Sequence, residues 1–490
     1  MGEEILINFT PMETRVALIE NGMPQEVYVE RVNRRGIVGN IYQGKVVRVL
    51  PGMQAAFVDI GLERAAFIHV EDVLPPGATH EDKSNASIAQ VLREGQSLLV
   101  QVTKDPIGTK GARLTTHLSL PSRYLVCMPG TQHIGISQRI EDSSERERLR
   151  TLMQQIIESG NGEIPEMGYI LRTVTEGVSE NELLSDIQFL HRLWRSIQKK
   201  ISNASAPSMI YEDLPLHMRA LRDMAHGGLE RIRIDSRETF VKAEEFANAL
   251  VPEITEVLEY YPGERPIFDL FNVEEEIQKA LGRKIDLKSG GYLIFDQTEA
   301  MTTVDVNTGA FVGHRNLEET IFKTNLEAAT AIGRQLRLRN LGGIIIIDFI
   351  DMEDEDHQRQ VLRTLERMLE KDHAKCKVTG VSDLGLVEMT RKRTRESLEQ
   401  VLCDICEACQ GRGSIKTPET VCYEIFREIL RQHRAYDTET YLVLAAQNVV
   451  DYLLDDASSH VAELESFIGK TIRFQAEPMY SIESFDVVLR

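Results

Sequence analysis

The stretch "LGGIIIIDFIDM", residues 341–352, limits what this chain can fold into more than any other. An apolar run through Ile344–Ile347, preceded by two glycines and closed by Asp348, reads as a strand inside a sheet covered on both faces. A helix with a period near 3.6 precedes it, since Ile321, Ala328, Ile332 and Leu336 share one face of the segment 317–339. Two further strands, Tyr292–Asp296 and Thr303–Asn307, come before that helix. Strand and helix therefore alternate from about 281 to 399, which is an α/β pattern.

Functional groups in such sheets collect at strand ends. The stretch "EAMTTVDVNTGAF" holds a second polar interruption. In an extended strand Asp305 and Asn307 point to one face, while Val304 and Val306 point to the other. If the two strands are neighbours, Asp305 and Asp348 meet at one rim. Two carboxylates with open oxygen valences suit Mg2+, which takes one or two protein carboxylates, several waters and substrate phosphate oxygens. Without a cation they would repel, and one would take up a proton. The plainer alternative makes Asp348 a turn residue and Asp305 a half-exposed strand residue.

At 490 residues the chain is too long for one core. Residues 1–34 read as a β meander. From 35 to 120, short strands with Gly or Pro-Gly turns at intervals of about ten residues suggest a small inserted β-barrel. Ala56, Val58 and Ile60 make the better core face there, which leaves Phe57 outward. With Phe67 across a turn and Lys110 on a later strand, this is the aromatic-plus-cation make-up of a nucleic-acid-binding OB-type surface. The competing fate of both rings is the core. Strands and helices mix from 121 to the linker "ISNASAPS", and α/β segments continue to about 280. The amphipathic stretch "ETVCYEIFREILRQHRAY" opens a small C-terminal α/β piece, 415–490.

Six cysteines are present, and Cys403, Cys406 and Cys409 are spaced C-x-x-C-x-x-C. "CEACQGRG" forms a knuckle in which glycines let the backbone turn around a metal. A tetrahedral Zn2+ needs four ligands, so either Cys403 and another residue complete the site or two chains give two thiolates each. A formal charge of −20 argues against a nonspecific nucleic-acid binder. Local basic runs oppose that total: "RQLRLRN" with Arg337 and Arg339, and "TRKRTRESL" with Arg391, Lys392, Arg393 and Arg395. Helix-dipole compensation explains Arg337 or Arg339 singly, but the second run is denser than a dipole needs. Arg337, Arg339, Arg391 and Arg393 are expected at RNA phosphates. No apolar run is long enough to span a bilayer, and "MGEEILINFT" lacks the basic start of a secretory signal, so the expected location is the cytoplasm.

Taken together, "RRGIVGNIY", "GMQAAFVDIG", "GTKGARLTT", "SRYLVCMPG", "QTEAMTTVDVNTGAFVGHRN", "RQLRLRNLGGIIIIDFIDM" and "GLVEMTRKRTRESL" resemble the ribonuclease E/G family over nearly the whole chain. The chain most resembles the G branch, since it lacks the long disordered scaffold typical of the E branch. The resemblance implies a multidomain α/β protein with these parts: an RNase H-like domain split between 1–34 and 212–280, an S1-type (OB-fold) barrel at 35–120, a 5′-sensor domain at 121–211, a DNase I-like catalytic domain at 281–399, a zinc-link at 400–414 and a dimerisation domain at 415–490.

It further implies a single-strand-specific endoribonuclease acting on rRNA precursors and mRNA, which leaves 5′-phosphate and 3′-hydroxyl ends. Asp305 and Asp348 would hold the catalytic Mg2+, Asn307 would position the attacked phosphate or its water, and Asp351 would support them. Arg172 and Thr173 in "YILRTVTEG" would bind the substrate's 5′-monophosphate, with Val126 against the terminal base and Arg139 alongside. Phe57, Phe67 and Lys110 would contact RNA. The family's metal-sharing pattern C-P-x-C-x-G falls on Cys406 and Cys409, with Glu407 in place of the proline, and implies a Zn2+-linked homodimer. Two rival readings are a non-catalytic RNA-binding scaffold with structural Asp residues and a zinc hydrolase centred on Cys406 and Cys409.

Overall fold

Strands from both sides of a long interruption build the first sheet. The structure is a computed structural model that describes residues 2–73, 87–106, 111–140, 142–159, 167–224, 229–309, 317–372, 374–382, 384–393 and 395–490. It divides into two units, Met1–Val401 and Leu402–Arg490. In the first unit, Glu3–Phe9 pairs antiparallel with Glu13–Glu20 and parallel with Leu229–Ile234. The five-stranded order runs Leu258–Tyr260, Leu229–Ile234, Glu3–Phe9, Glu13–Glu20, Met23–Arg31. Asp235 ties the two chain segments, accepting from Asn8 Nδ2 at 2.6 Å and from the Phe9 amide at 2.9 Å.

The interruption carries two smaller sheets. Ile41–Leu50, Ala55–Asp59, Ala66–His69, Arg113–Thr115 and Ser97–Lys104 pair in that order, and Ile41–Leu50 also pairs with Ser97–Lys104, closing a five-stranded barrel. Closure leaves no free edge on those strands. Val46, Ala56, Val58, Ile60 and Ile68 fill it. After the barrel comes a four-stranded sheet, ordered Ile134–Ile136, Gly168–Leu171, Leu125–Met128, Leu120–Pro121. Helix Glu180–Asn203 packs on it, begun by a Ser179–Glu182 capping box that satisfies two otherwise orphan N–H groups.

A six-stranded sheet follows, ordered Lys284–Asp286, Tyr292–Gln297, Met301–Asn307, Gly343–Asp348, Val387–Arg391, Cys376–Val381. Helices Leu317–Leu338 and Glu355–Leu369 cover one face, burying Val304, Val306, Ile345 and Ile347 against Ala328, Ile332, Leu336 and Leu365. The expectation of cover on both faces fails here: Ile344 is 48% exposed and Asp305 and Asp348 are exposed beside it. Four consecutive isoleucines therefore do not mark a strand buried on both sides.

The second unit holds a three-stranded sheet with Thr440–Ala445 between Thr471–Ala476 and Phe485–Leu489. Helix Pro418–Ala435 buries Val421, Cys422, Ile425 and Ile429, one stripe at helical spacing. It opens with Thr417 accepting from the Thr420 amide and Pro418 in the first turn. Among the described residues, no helix is long and apolar enough to cross a membrane.

Candidate active site

Met301–Asn307 and Gly343–Asp348 are parallel neighbours, and their register pairs Asp305 directly with Asp348. Adjacent strands lie roughly 4.8 Å apart, so two carboxylates on the same face come within bridging distance of one cation. Both are exposed, and neither forms a salt bridge among the described residues. Asn307, two residues along the same face, donates from Nδ2 to Asp305 Oδ2 at 2.9 Å. The Asp348 carboxyl is pushed above the usual carboxylate range, first by desolvation and then by the charges of Asp305 and Asp351. The part of that rise due to the neighbouring acids Asp305 and Asp351 is what a bound cation would relieve.

Two supports of this site were not legible in the sequence. Asn325, fully buried in helix Leu317–Leu338, donates to Ile350 O at 2.8 Å and accepts from the Ile350 amide at 3.1 Å. It clamps the turn between Asp348 and Asp351, and its only signal was an amide within the helix's inward stripe. Gly309 has φ +64°, and a Cβ there would stand 2.3 Å from Gly290 O, so the "NTG" turn admits no side chain.

A second constellation forms at the end of Gly168–Leu171. Val126 pairs with Ile170 across the strands, half-buried and two residues from Arg172. Arg172 is exposed, and its Nη1 donates to Ser122 O at 2.6 Å and Arg123 O at 3.1 Å. Ser137 joins the other two members: its hydroxyl lies 3.2 Å from Thr173 Oγ1 and accepts from the Arg139 amide at 3.3 Å. All four residues expected at the sensor are thus gathered. Lys392 belongs to the same electropositive cluster, its ammonium held below the usual lysine range by burial and by Arg139, Lys375 and Arg172. The Lys375–Glu176 pair, at 3.2 Å, straps this region to the six-stranded sheet.

The basic residues expected at RNA phosphates mostly do other work. Arg337 is 2% exposed and donates to Glu20 at 2.5 Å and Glu26 at 3.0 Å, both on the N-terminal sheet. Arg391 is buried too, bound to Asp372 at 2.7 and 3.0 Å and to Leu341 O at 2.7 Å. Arg339 lies beneath the surface over the Phe295 ring, 4.5 Å from its centroid, with its guanidinium pushed down to about 10 by burial. These three expectations are corrected, because the side chains are buried inside the unit: Arg337 and Arg391 are spent on acids there, and Arg339 gives Nε to Gln335 Oε1 while its buried Nη2 has no partner among the described residues. Arg393 alone of the four is exposed, with Nε on Gly342 O at 2.9 Å.

On the barrel, Phe57 and Phe67 are register partners, half-buried, with ring centroids 6.2 Å apart in an edge-to-face arrangement. Ala56, Val58 and Ile68 occupy the core instead. Lys110 lies outside the described residues.

In the second unit, Cys403 and Cys406 are exposed and Cys409 partly so. The backbone folds back after Cys406 through left-handed Gln410, Gly411 and Gly413. The amides of Gly413 and Gly411 hold the Cys409 thiol below the usual thiol range, favouring thiolate. Among the described residues no group of three or more His, Cys, Asp or Glu side chains is arranged to hold a metal.

The profile of the Ribonuclease E/G family matches residues 119–394, and that of the RNase E/G thioredoxin-like domain matches 405–489. Ribonuclease G of Escherichia coli strain K12 is 57% identical with all of both chains covered, and that of Haemophilus influenzae is 53% identical over 99% of each. Ribonuclease E of Escherichia coli strain K12 is 36% identical over 95% of this chain and 44% of its own length. This chain therefore belongs to the ribonuclease E/G family.

Proposed function

We propose that the chain is a single-strand-specific endoribonuclease that hydrolyses RNA phosphodiesters with Mg2+, leaves 5′-phosphate and 3′-hydroxyl ends, and favours A/U-rich RNA bearing a 5′-monophosphate. The observation that carries this reading is the exposed, in-register pair Asp305–Asp348 on the open face of the six-stranded sheet. The donor set suits the ion: two oxygen-rich carboxylates, an amide beside them, and no cationic side chain neutralising the pair among the described residues. When bound, Mg2+ supplies polarisation of the scissile phosphate and a lowered pKa for a coordinated water. Asp305 and Asp348 hold it, and Asn307 fixes the Asp305 carboxylate while its carbonyl oxygen orients the attacked phosphate's water. Phe57 and Phe67 stack bases and Arg393 takes backbone phosphate.

Arg172, Thr173 and Arg139 bind the 5′-monophosphate, with Val126 against the terminal base. They act through orientation and binding energy, and take no part in bond breaking. Cys406 and Cys409 hold a structural Zn2+. Two thiolates from one chain leave a tetrahedral ion two ligands short, so a second copy supplies the rest and the enzyme is a homodimer. Its setting is the cytoplasm, in rRNA maturation and mRNA decay.

The test is cleavage of one short fluorescent A/U-rich RNA carrying either 5′-monophosphate or 5′-hydroxyl, with and without Mg2+. Mg2+-dependent cutting that is faster on the monophosphate, and lost in Asp305→Asn, is expected. Binding without cutting by the wild type would move the reading to a scaffold, and equal rates on the two ends would remove the sensor.

A further inference from the structure

A cavity of about 480 Å³ lies against the segment 122–125, on helix Glu180–Asn203, and shares no residue with the Asp305–Asp348 face. Arg123, Tyr124, Ser185, Asp186, Phe189 and Arg192 line it, closed on the other side by the segment 250–257. That volume falls in the range of small-molecule sites.

Three features of its lining point to a ligand. Asp186 is 7% exposed, and its Oδ2 accepts from Ser122 Oγ at 2.5 Å and from the Tyr124 and Leu125 amides at 2.9 Å each. Its Oδ1 receives no hydrogen bond among the described residues. Asp186 lines the cavity, so this oxygen is an open acceptor for a donor placed there. Next, the Arg123 guanidinium lies over the Tyr124 ring, 4.9 Å from its centroid, and its N–H groups have no acceptor among the described residues. Arg192 spends Nε and Nη2 on Leu250 O and keeps Nη1 without one. Last, the rings of Tyr124 and Phe189, both largely buried, give the lining its aromatic character.

An acceptor at depth, aromatic rings and guanidinium donors match one compact class of molecule. A mononucleotide combines a π face, a base edge rich in N–H donors and a phosphate. Guanine's adjacent N1–H and N2–H groups can both donate to the one open oxygen, Asp186 Oδ1, and the phosphate suits Arg123 and Arg192.

The cavity is also wired to the neighbouring site. Ser122 O and Arg123 O accept from Arg172 Nη1, while Asp186 grips the same segment through Ser122, Tyr124 and Leu125. One four-residue stretch is thus held by Arg172 and by the cavity's buried acid.

We propose that this cavity binds a free guanine mononucleotide and that its occupancy sets the position of Arg172, the second clause resting on the reading of Arg172 as a 5′-phosphate ligand. The test is calorimetric titration of the full chain with GMP, UMP and inorganic phosphate. GMP is expected to bind, with UMP and phosphate at least about tenfold weaker. Ser185→Trp, made at an exposed helix position to fill the mouth, should abolish the signal, and Arg123→Ala should weaken it about tenfold. Arg172→Gln should still bind GMP, its affinity moved only by the coupling through the 122–125 stretch, which separates the cavity from the 5′-phosphate site.

In the cleavage assay, saturating GMP should change the monophosphate-to-hydroxyl rate ratio of the wild type and leave that of Ser185→Trp alone. No GMP binding, or equal binding by Ser185→Trp, overturns the proposal. So does a 5′-hydroxyl oligoribonucleotide that displaces GMP at equal affinity, because the site would then take RNA. Equal cleavage of the two 5′ ends without GMP sinks only the reading of Arg172, while the titration still judges the cavity.

Discussion

Two groups of acids in the first unit are treated in opposite ways. Glu20 and Glu26 close around Arg337 in the interior, within 2.5 and 3.0 Å of its guanidinium. Asp305 and Asp348 stand side by side on an open sheet face with an amide for company and, among the described residues, no cation paired with them. In the first group a guanidinium sits between the two carboxylates and offsets their repulsion, whereas its parts taken singly would be buried charges. The second group is charged as a whole and gains only when something positive arrives. Complementary charges in the interior therefore mark structure, and like charges held together at a surface mark a site.

Experiments can break that contrast from either side. The largest effect should come from Asp305→Asn, which removes half the proposed cation site and should lower the cleavage rate roughly a thousandfold, about 4 kcal/mol of barrier, with the fold intact by circular dichroism. If the rate holds, the open pair is not catalytic. Arg337→Met should do the reverse. Removing the guanidinium from between Glu20 and Glu26 in the interior should cost about 3–5 kcal/mol in denaturant unfolding while activity per folded molecule stays level. A stability change under about 1 kcal/mol would mean that water reaches those acids and that the group is not a closed one.

Arg172→Gln should be milder, reducing the preference for 5′-monophosphate about tenfold with little change on 5′-hydroxyl RNA, because one fork of charge-assisted bonds is lost. The smallest effect belongs to Asp348→Asn in metal-free buffer. Its folded carboxyl sits above the ordinary range, so the ionised form opposes folding. The variant should be slightly more stable than wild type at pH values above that raised pKa. The gain should shrink as pH falls through it and vanish below the ordinary Asp range. Thermal unfolding against pH reads this directly, and a gain that grows on acidification would contradict the assigned cause.

Alternation along Met301–Asn307 was readable in the sequence because side chains in a strand have a period of two, and it correctly set Asp305 and Asn307 on the face opposite Val304 and Val306. The outward turn of Phe57 followed from the same rule. The fate of the arginines was not readable. Arg337, Arg391 and Arg393 have the same chemistry on paper, yet two lie inside the unit and one outside. Their partners Glu20, Glu26 and Asp372 are distant in sequence or unremarkable in type, and only packing joins them. The Lys392 and Lys375 contribution beside Arg172 was hidden for the same reason, since more than 200 residues of chain separate Arg172 from either.

By itself the sequence determined which residues share a strand face, where helices begin, and that Cys406 and Cys409 sit on a glycine-rich turn, because these depend on local backbone geometry and spacing. Only the tertiary structure decided that Asp305 meets Asp348 in register, that one face of their sheet stays open, and which basic side chains face outward. Each of those depends on which distant segments are brought together, and on how much water the contact leaves around a charge.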